Sequence, residues 1–481
     1  MSHEMPVRNP RSGEADYSIH TLSADEVAQV AKQVRAAQPA WLSGGLEYRC
    51  EVLRDWAASL TAQAESITQA LATDTGRQLI AAIEVQSLVG MVEGWAAGAP
   101  GLLSESAEQS SMTQGVMTRH QFRPYPLVGI ISPWNFPFLL SMIDAIPALV
   151  AGCGVIVKPS EVTPRFIRPV RESLAAYPEL AAVFQWIEGD GSSGAALIGE
   201  VDALAFTGSV ATGRLVAENC AKNFIPAFLE LGGKDPAIVM PDANIEVAAR
   251  IILRASVQAT GQACQSLERV YVHESLHDAF VAELVRQAEQ VELSFPNPDQ
   301  GQMGPLIFAK QAQVIAAQIE EACSKGASLR CGGVVETLGG GLWIRPTVLS
   351  GVDHSMQVMK DETFGPVMPV MPYKTVDEAV ALANDTDYGL SASVIGKDAE
   401  AAIEVGRRLN AGAISINDGG LTTEVHDAAH DSFGLSGMGS GRMGPIGLTR
   451  FMRRKALLIR QDEAKGLDAV DERLLRQNIE D

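Results

Sequence analysis

Two short segments of this 481-residue chain carry side chains that could perform covalent catalysis. Glu230 begins the segment Glu-Leu-Gly-Gly-Lys, and Cys264 ends the segment Gly-Gln-Ala-Cys. A cysteine thiolate is a strong nucleophile, and a carboxylate elsewhere in the fold can activate the water that releases a covalent intermediate. Either segment alone says little. Together they suggest a thiol nucleophile that cooperates with a general base.

The length and charge of the chain limit what kind of protein can carry these residues. We expect two or three domains, because 481 residues exceed one hydrophobic core of ordinary size. The formal net charge of -20 argues against nucleic acid and anionic membranes as partners, since both bind basic surfaces. The six cysteines have no disulfide-framework or zinc spacing, and the eight histidines do not cluster with them. We therefore expect a cytoplasmic globular protein without a metal site.

No segment has the pattern of a signal peptide or a membrane span. The N-terminus, residues 1–13, is polar and lacks an apolar core. The most apolar region, residues 127–157, is interrupted by three prolines and Asp144. Buried strands, turns and helices explain this region better than a membrane-spanning helix does.

The elements that must position the two segments alternate from about residue 127 onward. Short apolar runs each precede a Gly, Ser or Pro turn and are followed by a stretch with helical spacing. This alternation predicts parallel sheets covered by helices on both faces, in two successive α/β units. The predicted strands are 128–131, 155–157, 203–206, 237–240 and 270–272; the predicted helices lie near 141–151, 163–176, 210–221, 244–258 and 275–290.

The N-terminal quarter and two other segments have a different character. Ser23 and Glu26 form a capping-box pattern before a helical run, and Gly76 is a suitable helix end, so this quarter is predicted to be mainly helical. The polar, alternating segment Gln109 to Pro126 is either a protruding β-arm or a long surface connection. The charged tail from Gln461, with Leu467, Val470, Leu474 and Leu475, favours a surface or subunit-docking helix.

Further motifs extend the chemical pattern along the chain. They are Pro-Trp-Asn-Phe-Pro at 133–137, Lys-Pro-Ser-Glu at 158–161, Phe-Thr-Gly-Ser at 206–209 and Glu-Thr-Phe-Gly-Pro at 362–366. With the Glu230 and Cys264 segments, their identity and order closely resemble the NAD(P)-dependent aldehyde dehydrogenase superfamily over roughly residues 110–450. The resemblance implies an α/β fold with a Rossmann-like cofactor domain, a second α/β catalytic domain and a small β-arm. It also implies a homodimer or homotetramer.

The resemblance divides the chain into three parts. Residues 1–108 and 127–235 are expected to form the NAD-binding domain, and residues 236–425 the catalytic domain with the thiol. Residues 109–126 and 426–481 are expected to form the oligomerisation arm and the C-terminal segment.

The resemblance also implies a role for each residue of the catalytic centre. Cys264 is expected to add to the aldehyde carbon, and the resulting oxyanion can then expel hydride and collapse to a thioester. The side chain of Asn135 and the backbone N–H of Cys264 are the expected oxyanion donors. Glu230 is expected to activate the water that hydrolyses the thioester, which favours water over coenzyme A as acyl acceptor.

The cofactor interpretation combines the resemblance with the glycine-rich turn at 206–209. That turn precedes a helix, so its backbone amides suit a pyrophosphate. A carboxylate at Glu161 would accept hydrogen bonds from a ribose 2′-hydroxyl and repel a 2′-phosphate, so we expect NAD rather than NADP. The expected cofactor-binding residues are Ile131, Trp134, Lys158, Ser160, Glu161, Gly208, Ser209, Glu362 and Phe364.

The helix that follows Asn135 indicates which class of aldehyde the protein accepts. Four apolar residues recur there on one face, either as ordinary core or as the border of the aldehyde tunnel that the resemblance implies: Phe136, Leu139, Leu140 and Ile143. No basic residue lies in the middle of this helix, so we expect a neutral, fairly apolar aldehyde, aliphatic or aromatic. Two departures concern the same region: Asp144 stands where many relatives carry Lys, and the loop from Phe433, a candidate wall residue, is shortened.

Two other functions are compatible with these residues. A thiol esterase would use Cys264 and the oxyanion donors without a cofactor. A non-catalytic structural or binding protein would have the same fold without activity, although nothing would then require Asn135, Glu230 and Cys264 together.

Overall fold

The computed structural model of the protein describes residues 2–472. Its strands, in chain order, are β1 (His3–Arg8), β2 (Ala15–Thr21), β3 (Gln109–Ser110), β4 (Val116–Pro124), β5 (Leu127–Ile131), β6 (Gly154–Lys158), β7 (Phe184–Trp186), β8 (Ala203–Thr207), β9 (Ala227–Glu230), β10 (Asp235–Val239), β11 (Leu267–His273), β12 (Ser328–Cys331), β13 (Val335–Leu338), β14 (Gly341–Ile344), β15 (Thr347–Ser350), β16 (Val367–Tyr373), β17 (Tyr388–Gly389), β18 (Ser391–Ile395), β19 (Ala413–Ile416), β20 (Phe433–Gly434), β21 (Gly437–Met438) and β22 (Met452–Arg460).

The α-helices cover the sheets and form the N-terminal region. They are α1 (Ala24–Ser43), α2 (Gly45–Ala62), α3 (Glu65–Thr75), α4 (Gln78–Leu103), α5 (Leu139–Ala151), α6 (Ile167–Leu174), α7 (Pro178–Val183), α8 (Gly191–Ile198), α9 (Val210–Lys222), α10 (Ile245–Val257), α11 (His277–Ala288), α12 (Ala309–Ser324), α13 (Val376–Asn384), α14 (Ala399–Gly406) and α15 (Ile446–Thr449). The predicted strands and helices of both α/β units are confirmed, with ends shifted by a few residues.

The first large sheet has the strand order β21-β9-β8-β5-β6-β7, and its strands are parallel except β21. The apolar side chains of β5, β6 and β8 are divided between two buried clusters, one with α2, α5 and α6 and the other with α1, α8 and α9. Both faces of the sheet are therefore covered, which explains why these strands are apolar along their whole length. The strand order reverses at β5, so a crevice opens at its carboxyl end.

The second large sheet has the order β12-β15-β16-β11-β10-β18-β19, and only β12 is antiparallel. Its helices are also divided between two faces, with α10 and α11 on one side and α12, α13 and α14 on the other. The chain passes from the first sheet to the second through the four residues between β9 and β10. The mixed α/β fold predicted from the sequence is confirmed.

The site lies at the carboxyl ends of the strands of the first sheet and at the amino ends of the strands of the second. In the first sheet, the motifs follow the carboxyl ends of β5, β6, β8 and β9. In the second sheet, Cys264 precedes the amino end of β11, and Glu362 precedes the amino end of the neighbouring β16. The motifs, although far apart in sequence, are therefore brought to a common boundary by strand direction alone.

The N-terminal region agrees with prediction except at its beginning. Ser23 and Glu26 form the predicted capping box, and Gly76 ends α3 in the left-handed conformation with φ 70°. The hairpin of β1 and β2 was not predicted. Helix α4 is long and apolar enough to cross a membrane by length and composition alone. One face of α4 is buried and packs against α2, α3 and α5.

The segment from Gln109 to Pro126 belongs to a three-stranded antiparallel sheet with the order β22-β4-β3. Strand β4 pairs with β22 over nine residues, from Pro124 with Met452 to Val116 with Arg460. The structure therefore supports the β-arm and not the simple surface connection. In the predicted docking helix, Leu467 and Val470 are exposed in a 3-10 turn, and Leu474 and Leu475 lie outside the described residues.

Candidate active site

Three of the predicted motifs meet around the cysteine. The side-chain amide of Asn135 donates a hydrogen bond to the backbone oxygen of Gln262, 2.9 Å away and two residues before Cys264. A Cβ atom at Gly233 would lie 2.6 Å from the carbonyl oxygen of Cys264, and one at Gly232 would collide with the Glu362 carboxylate. Only glycine permits this approach, so the linker between the sheets passes directly between the thiol loop and the Glu362 loop.

The loop before the thiol has an unusual backbone. Ala259, Thr260 and Gly261 have successive φ values of 54°, 63° and 69°, in the left-handed region. A β-branched residue such as Thr260 rarely adopts this conformation, and such strain is often found at functional sites. The loop is held by a hydrogen bond of 3.0 Å from the Thr260 hydroxyl to the oxygen of Gly304. This geometry holds Cys264 at the amino end of β11.

The electrostatic surroundings disfavour the thiolate form of Cys264. The residue is partly exposed, but burial raises the pKa of its thiol to about 12, and the carboxylates of Asp235, Glu362 and Glu230 act in the same direction. The guanidinium of Arg442 opposes them and lowers the thiol pKa. In the free protein burial and the nearby carboxylates therefore favour the neutral thiol over the thiolate.

Both the side chain and the backbone of Asn135 make hydrogen bonds. Its side chain is buried, and its amide nitrogen uses one hydrogen for Gln262 and keeps a second hydrogen for another acceptor. Its backbone oxygen accepts a hydrogen bond from the guanidinium of Arg77, a buried residue whose ring neighbour is Phe136 at 5.0 Å. The sequence interpretation missed Arg77, because no local pattern links residue 77 to residue 135.

Glu230 is the last residue of β9, and the shortened C-terminal loop packs on it. The hydroxyl of Ser432 donates to Glu230 Oε2 at 3.0 Å, and Nε of Arg442 lies 3.7 Å from Oε1. The strand β21 pairs with β9 opposite Glu230 itself, which fixes the loop in register. Neither Ser432 nor Arg442 was predicted, although Arg442 ends the Gly-x-Gly-Arg part of the loop motif.

A buried ion pair supports the Glu362 loop. Lys234 Nζ lies 2.7 Å from the Glu268 carboxylate, and that carboxylate accepts hydrogen bonds of 2.7 Å from the backbone N–H groups of Thr363 and Phe364. Burial, with Glu268 nearby, raises the pKa of Glu362 to about 8. The pair of Lys234 and Glu268 thus ties the linker, the strand after the thiol and the Glu362 loop together. The sequence interpretation missed this pair as well.

Seven of the nine residues predicted to bind a dinucleotide lie at the carboxyl ends of strands of the first sheet, whereas Glu362 and Phe364 precede a strand of the second. Lys158 Nζ is 3.3 Å from Glu161 Oε2, and Ser160 follows β6 beside them. Ser209 caps α9, whose first turn is exposed at the end of β8. Carboxylate acceptors beside an open helix N-terminus at a strand-order reversal fit ribose hydroxyls and a pyrophosphate. Ile131 ends β5 at the same edge.

Aromatic side chains lie between the two sheets. The Trp134 ring contacts the Phe364 ring edge to face, with centroids 5.3 Å apart, and the Phe308 ring at 5.9 Å. Phe364 has φ 50°, a left-handed backbone that its hydrogen bond to Glu268 maintains. These rings connect the edge that fits a dinucleotide with the Glu362 loop.

The predicted substrate residues share one property that their neighbours lack. On and just before α5, most side chains are fully buried, whereas four keep intermediate exposure: Phe136, Leu139, Leu140 and Ile143. A helix in a continuous core would bury this face, so the pattern favours a face that borders open space. Phe433 is 47% exposed and lies in β20, against Gly389.

Helix α5 has no basic residue of its own, but two arginines from the C-terminal region lie near its middle. Arg442 and Arg450, both buried, pair with the two oxygens of Asp144. The sequence could not indicate this, since the arginines lie about 300 residues further along the chain. Both are already neutralised within the protein by Asp144 and Glu230.

Within residues 2–472, no group of histidine, cysteine and acidic side chains is arranged to hold a metal ion.

Comparison with known proteins connects this geometry to one family. A family model described as the aldehyde dehydrogenase family matches residues 1–457. Among curated proteins, a protein of Mycolicibacterium smegmatis provisionally named an NADP-dependent succinate-semialdehyde dehydrogenase is 33% identical over 439 residues, which are 91% of this chain and 85% of the relative.

Solved structures agree over nearly the whole chain. A provisionally assigned aldehyde dehydrogenase, PutA, from Anabaena variabilis superimposes with a TM-score of 0.94 at 48% identity, covering 96% of this chain and 99% of the other. Betaine aldehyde dehydrogenase from Staphylococcus aureus, solved in complex with NAD+, gives a TM-score of 0.88 at 28% identity, covering 96% and 93%.

Proposed function

Because the chain belongs to the aldehyde dehydrogenase family, we propose that it oxidises a neutral, fairly apolar aldehyde to the free carboxylic acid with NAD. The observation that carries the proposal is the convergence of a thiol, an amide donor and a carboxylate at one boundary between two sheets. Cys264, Asn135 and Glu230 come from three different elements, which are connected by the close packing of Gly233 on Cys264 and by the hydrogen bond from Asn135 to Gln262.

The reaction begins at the sulfur of Cys264. The thiol loses its proton to solvent, and the thiolate forms a C–S bond to the aldehyde carbon. The free amide hydrogen of Asn135 and the backbone N–H of Cys264 stabilise the oxyanion that develops. NAD, when bound, supplies a cationic ring that accepts the hydride. Loss of that hydride leaves a thioester on Cys264.

Release of the product requires water and a base. Glu230 accepts a proton from water, the hydroxide oxygen bonds to the thioester carbon, and the C–S bond breaks to return the Cys264 thiolate. Overall, aldehyde, water and oxidised cofactor give carboxylate, reduced cofactor and two protons. The Ser432 hydroxyl donates a hydrogen bond to the Glu230 carboxylate.

The preference for an apolar aldehyde is supported by the half-exposed face of α5. That face offers only apolar side chains, and the arginines near Asp144 are already paired within the protein. The relatives named for succinate semialdehyde and betaine aldehyde act on charged aldehydes, so charge is the property that discriminates between the alternatives.

A panel of aldehydes tests this function directly. Hexanal, benzaldehyde, succinate semialdehyde and betaine aldehyde are each assayed for NADH and NADPH formation. We expect kcat/KM for hexanal or benzaldehyde to exceed that of either charged aldehyde by at least about tenfold. A higher value for a charged aldehyde would contradict the substrate class, and ester hydrolysis without reduced cofactor from any aldehyde would support the esterase alternative.

Glu161 provides the test of cofactor choice. Its half-exposed carboxylate, oriented by Lys158, would repel a 2′-phosphate, so Glu161→Ala should improve kcat/KM for NADP relative to NAD by about tenfold or more. The ratio is measured with one aldehyde and both cofactors. Glu404→Ala, which removes an exposed carboxylate paired with Arg407, is the control and should leave the ratio unchanged. An unchanged ratio in Glu161→Ala would remove the basis for preferring NAD.

We further propose that the protein is a homodimer or homotetramer assembled through the β-arm. Strand β22 is an edge strand of nine residues that carries the 74% exposed Leu458, and such an edge can pair with another chain. Light scattering coupled to gel filtration should give two or four times the subunit mass, and Leu458→Asp should shift it downward. A monomer of the unmodified protein would contradict the proposal.

We also propose that the protein is located in the cytoplasm. All six cysteines are free thiols, which supports a reducing compartment such as the cytoplasm.

A further inference from the structure

We propose that Arg442 is a positioning residue for Glu230, and that the buried carboxylate of Asp144 holds Arg442 in place. The inference rests on the proposed function, because it assigns a partner to the base of that reaction. It gives a role to the shortened loop after Phe433 and to the acidic residue on α5, neither of which the proposed reaction steps use directly.

The guanidinium of Arg442 contacts three elements of the first α/β unit. Its Nε lies 3.7 Å from Glu230 Oε1 at the end of β9, and its Nη2 lies 3.5 Å from Asp144 Oδ2 on α5. The same Nη2 donates to the hydroxyl of Thr207 at the end of β8. Only 8% of Arg442 is exposed, so these contacts replace water around the charge. The planar group is thus fixed between the base and the helix that borders the proposed tunnel.

Charge balance explains why Asp144 is required. A buried guanidinium without a counter-ion is strongly destabilising. Asp144 is almost fully buried and also pairs with Arg450, which donates to the oxygen of Ser440 at 3.3 Å. The titratable groups that face Arg442 are Asp144, Glu230, Cys264 and Arg450. The two arginines and two carboxylates cancel, so Arg442 can remain charged beside the base.

The consequence for catalysis is geometric. Ser432 holds one oxygen of Glu230 by a hydrogen bond, and the Arg442 guanidinium attracts the other oxygen from 3.7 Å, which favours one orientation of the carboxylate. A base that activates water must be held within hydrogen-bond reach of it, and a displacement of about 1 Å can reduce the rate about 100-fold. Since Glu230 acts after hydride transfer, loss of Arg442 should slow thioester release more than thioester formation.

The test compares single-turnover NADH formation with steady-state turnover, using the proposed substrate hexanal. In Arg442→Gln we expect the steady-state rate to fall about 100-fold while the single-turnover rate falls much less. The acyl-enzyme should then accumulate and be visible by mass spectrometry of the intact protein. A role in folding alone would lower both rates together with the fraction of active protein, and would leave their ratio unchanged.

A second readout uses the thiol. Because Arg442 lowers the pKa of Cys264, its loss should shift the pH profile of Cys264 alkylation by iodoacetamide to higher pH. Arg442→Lys retains the charge but not the planar fork, so it should keep the alkylation profile and still release the thioester about tenfold more slowly. This variant also tests the proposal if the glutamine variant does not fold.

Arg165 is the matched control. It is 12% exposed and bridges the two carboxylates Asp16 and Asp74, neither of which has a role in the proposed reaction. Arg165→Gln should lower the thermal stability but keep the ratio of single-turnover to steady-state rates. An unchanged ratio in both Arg442 variants would overturn the inference. If the unmodified protein formed no NADH from any aldehyde, the proposed function would fail instead, so the two failures are distinguishable.

Discussion

Replacement of Cys264 with alanine should reduce NADH formation from every aldehyde to background, a loss of at least about 10⁴-fold. Without the sulfur no thiohemiacetal forms, so hydride would have to leave an electron-poor carbonyl carbon directly. The measurement is the steady-state rate with the best aldehyde of the panel, together with NAD binding by calorimetry. We expect binding to persist, because most of the proposed dinucleotide residues lie on the first sheet and Cys264 itself is not among them.

Cys323→Ala is the control for this substitution. Cys323 is an exposed residue at the end of α12 and should be dispensable for activity. Substantial turnover by Cys264→Ala would refute the proposed mechanism, whereas loss of both activity and NAD binding would point to a damaged fold. Retained binding with no turnover is the outcome that the structure favours.

Glu230→Gln should produce a different kinetic pattern. We expect one rapid turnover that forms about one NADH per subunit, followed by a steady-state rate reduced about 10²- to 10⁴-fold. The amide cannot accept the proton of the attacking water, so the thioester persists on Cys264. Stopped-flow absorbance measures the burst, and mass spectrometry of the intact protein measures the retained acyl group.

Glu188 is a close match for the control. Its side chain is 14% exposed and lies 3.9 Å from an arginine, compared with 16% and 3.7 Å for Glu230, but it follows β7 at the far edge of the sheet. Glu188→Gln should therefore show neither the burst nor the slow phase. If Glu230→Gln turned over at the unmodified rate, another group would have to be the base.

The parts of the structure that sequence could predict are those determined locally. The strand ending in Phe206 and Thr207 is apolar throughout because it is covered on both faces, and Ser209 can cap only the helix that follows. Such patterns lie within about ten residues. These local patterns predicted that the catalytic and cofactor-binding residues lie at strand ends. The direction of each strand then determines which of those ends meet.

The parts that could not be predicted depend on contacts between distant segments. Asp144 could not be interpreted from α5, because its arginine partners come from the C-terminal region and reach it only after the sheet closes. The support of the Glu362 loop by Lys234 and Glu268 depends in the same way on two adjacent parallel strands, β10 and β11. The initial hairpin was missed because its apolar face is short, with only Met5 and Val7 in β1 opposite Ile19 and Tyr17 in β2.

The return of the chain to the first sheet has a consequence for the order of synthesis. Strand β21 pairs with β9, and Ser432 and Arg442 reach Glu230 from that returning segment. A ribosome completes Glu230 about 200 residues before it releases these partners. A nascent chain that already contains the thiol, the base and the dinucleotide edge therefore still lacks the restraint on its base. Under the proposed roles, the restraint on the base is therefore among the last features of the site that the growing polypeptide forms, and a chain that ends before residue 442 also lacks Leu448 and Phe451 of the buried core.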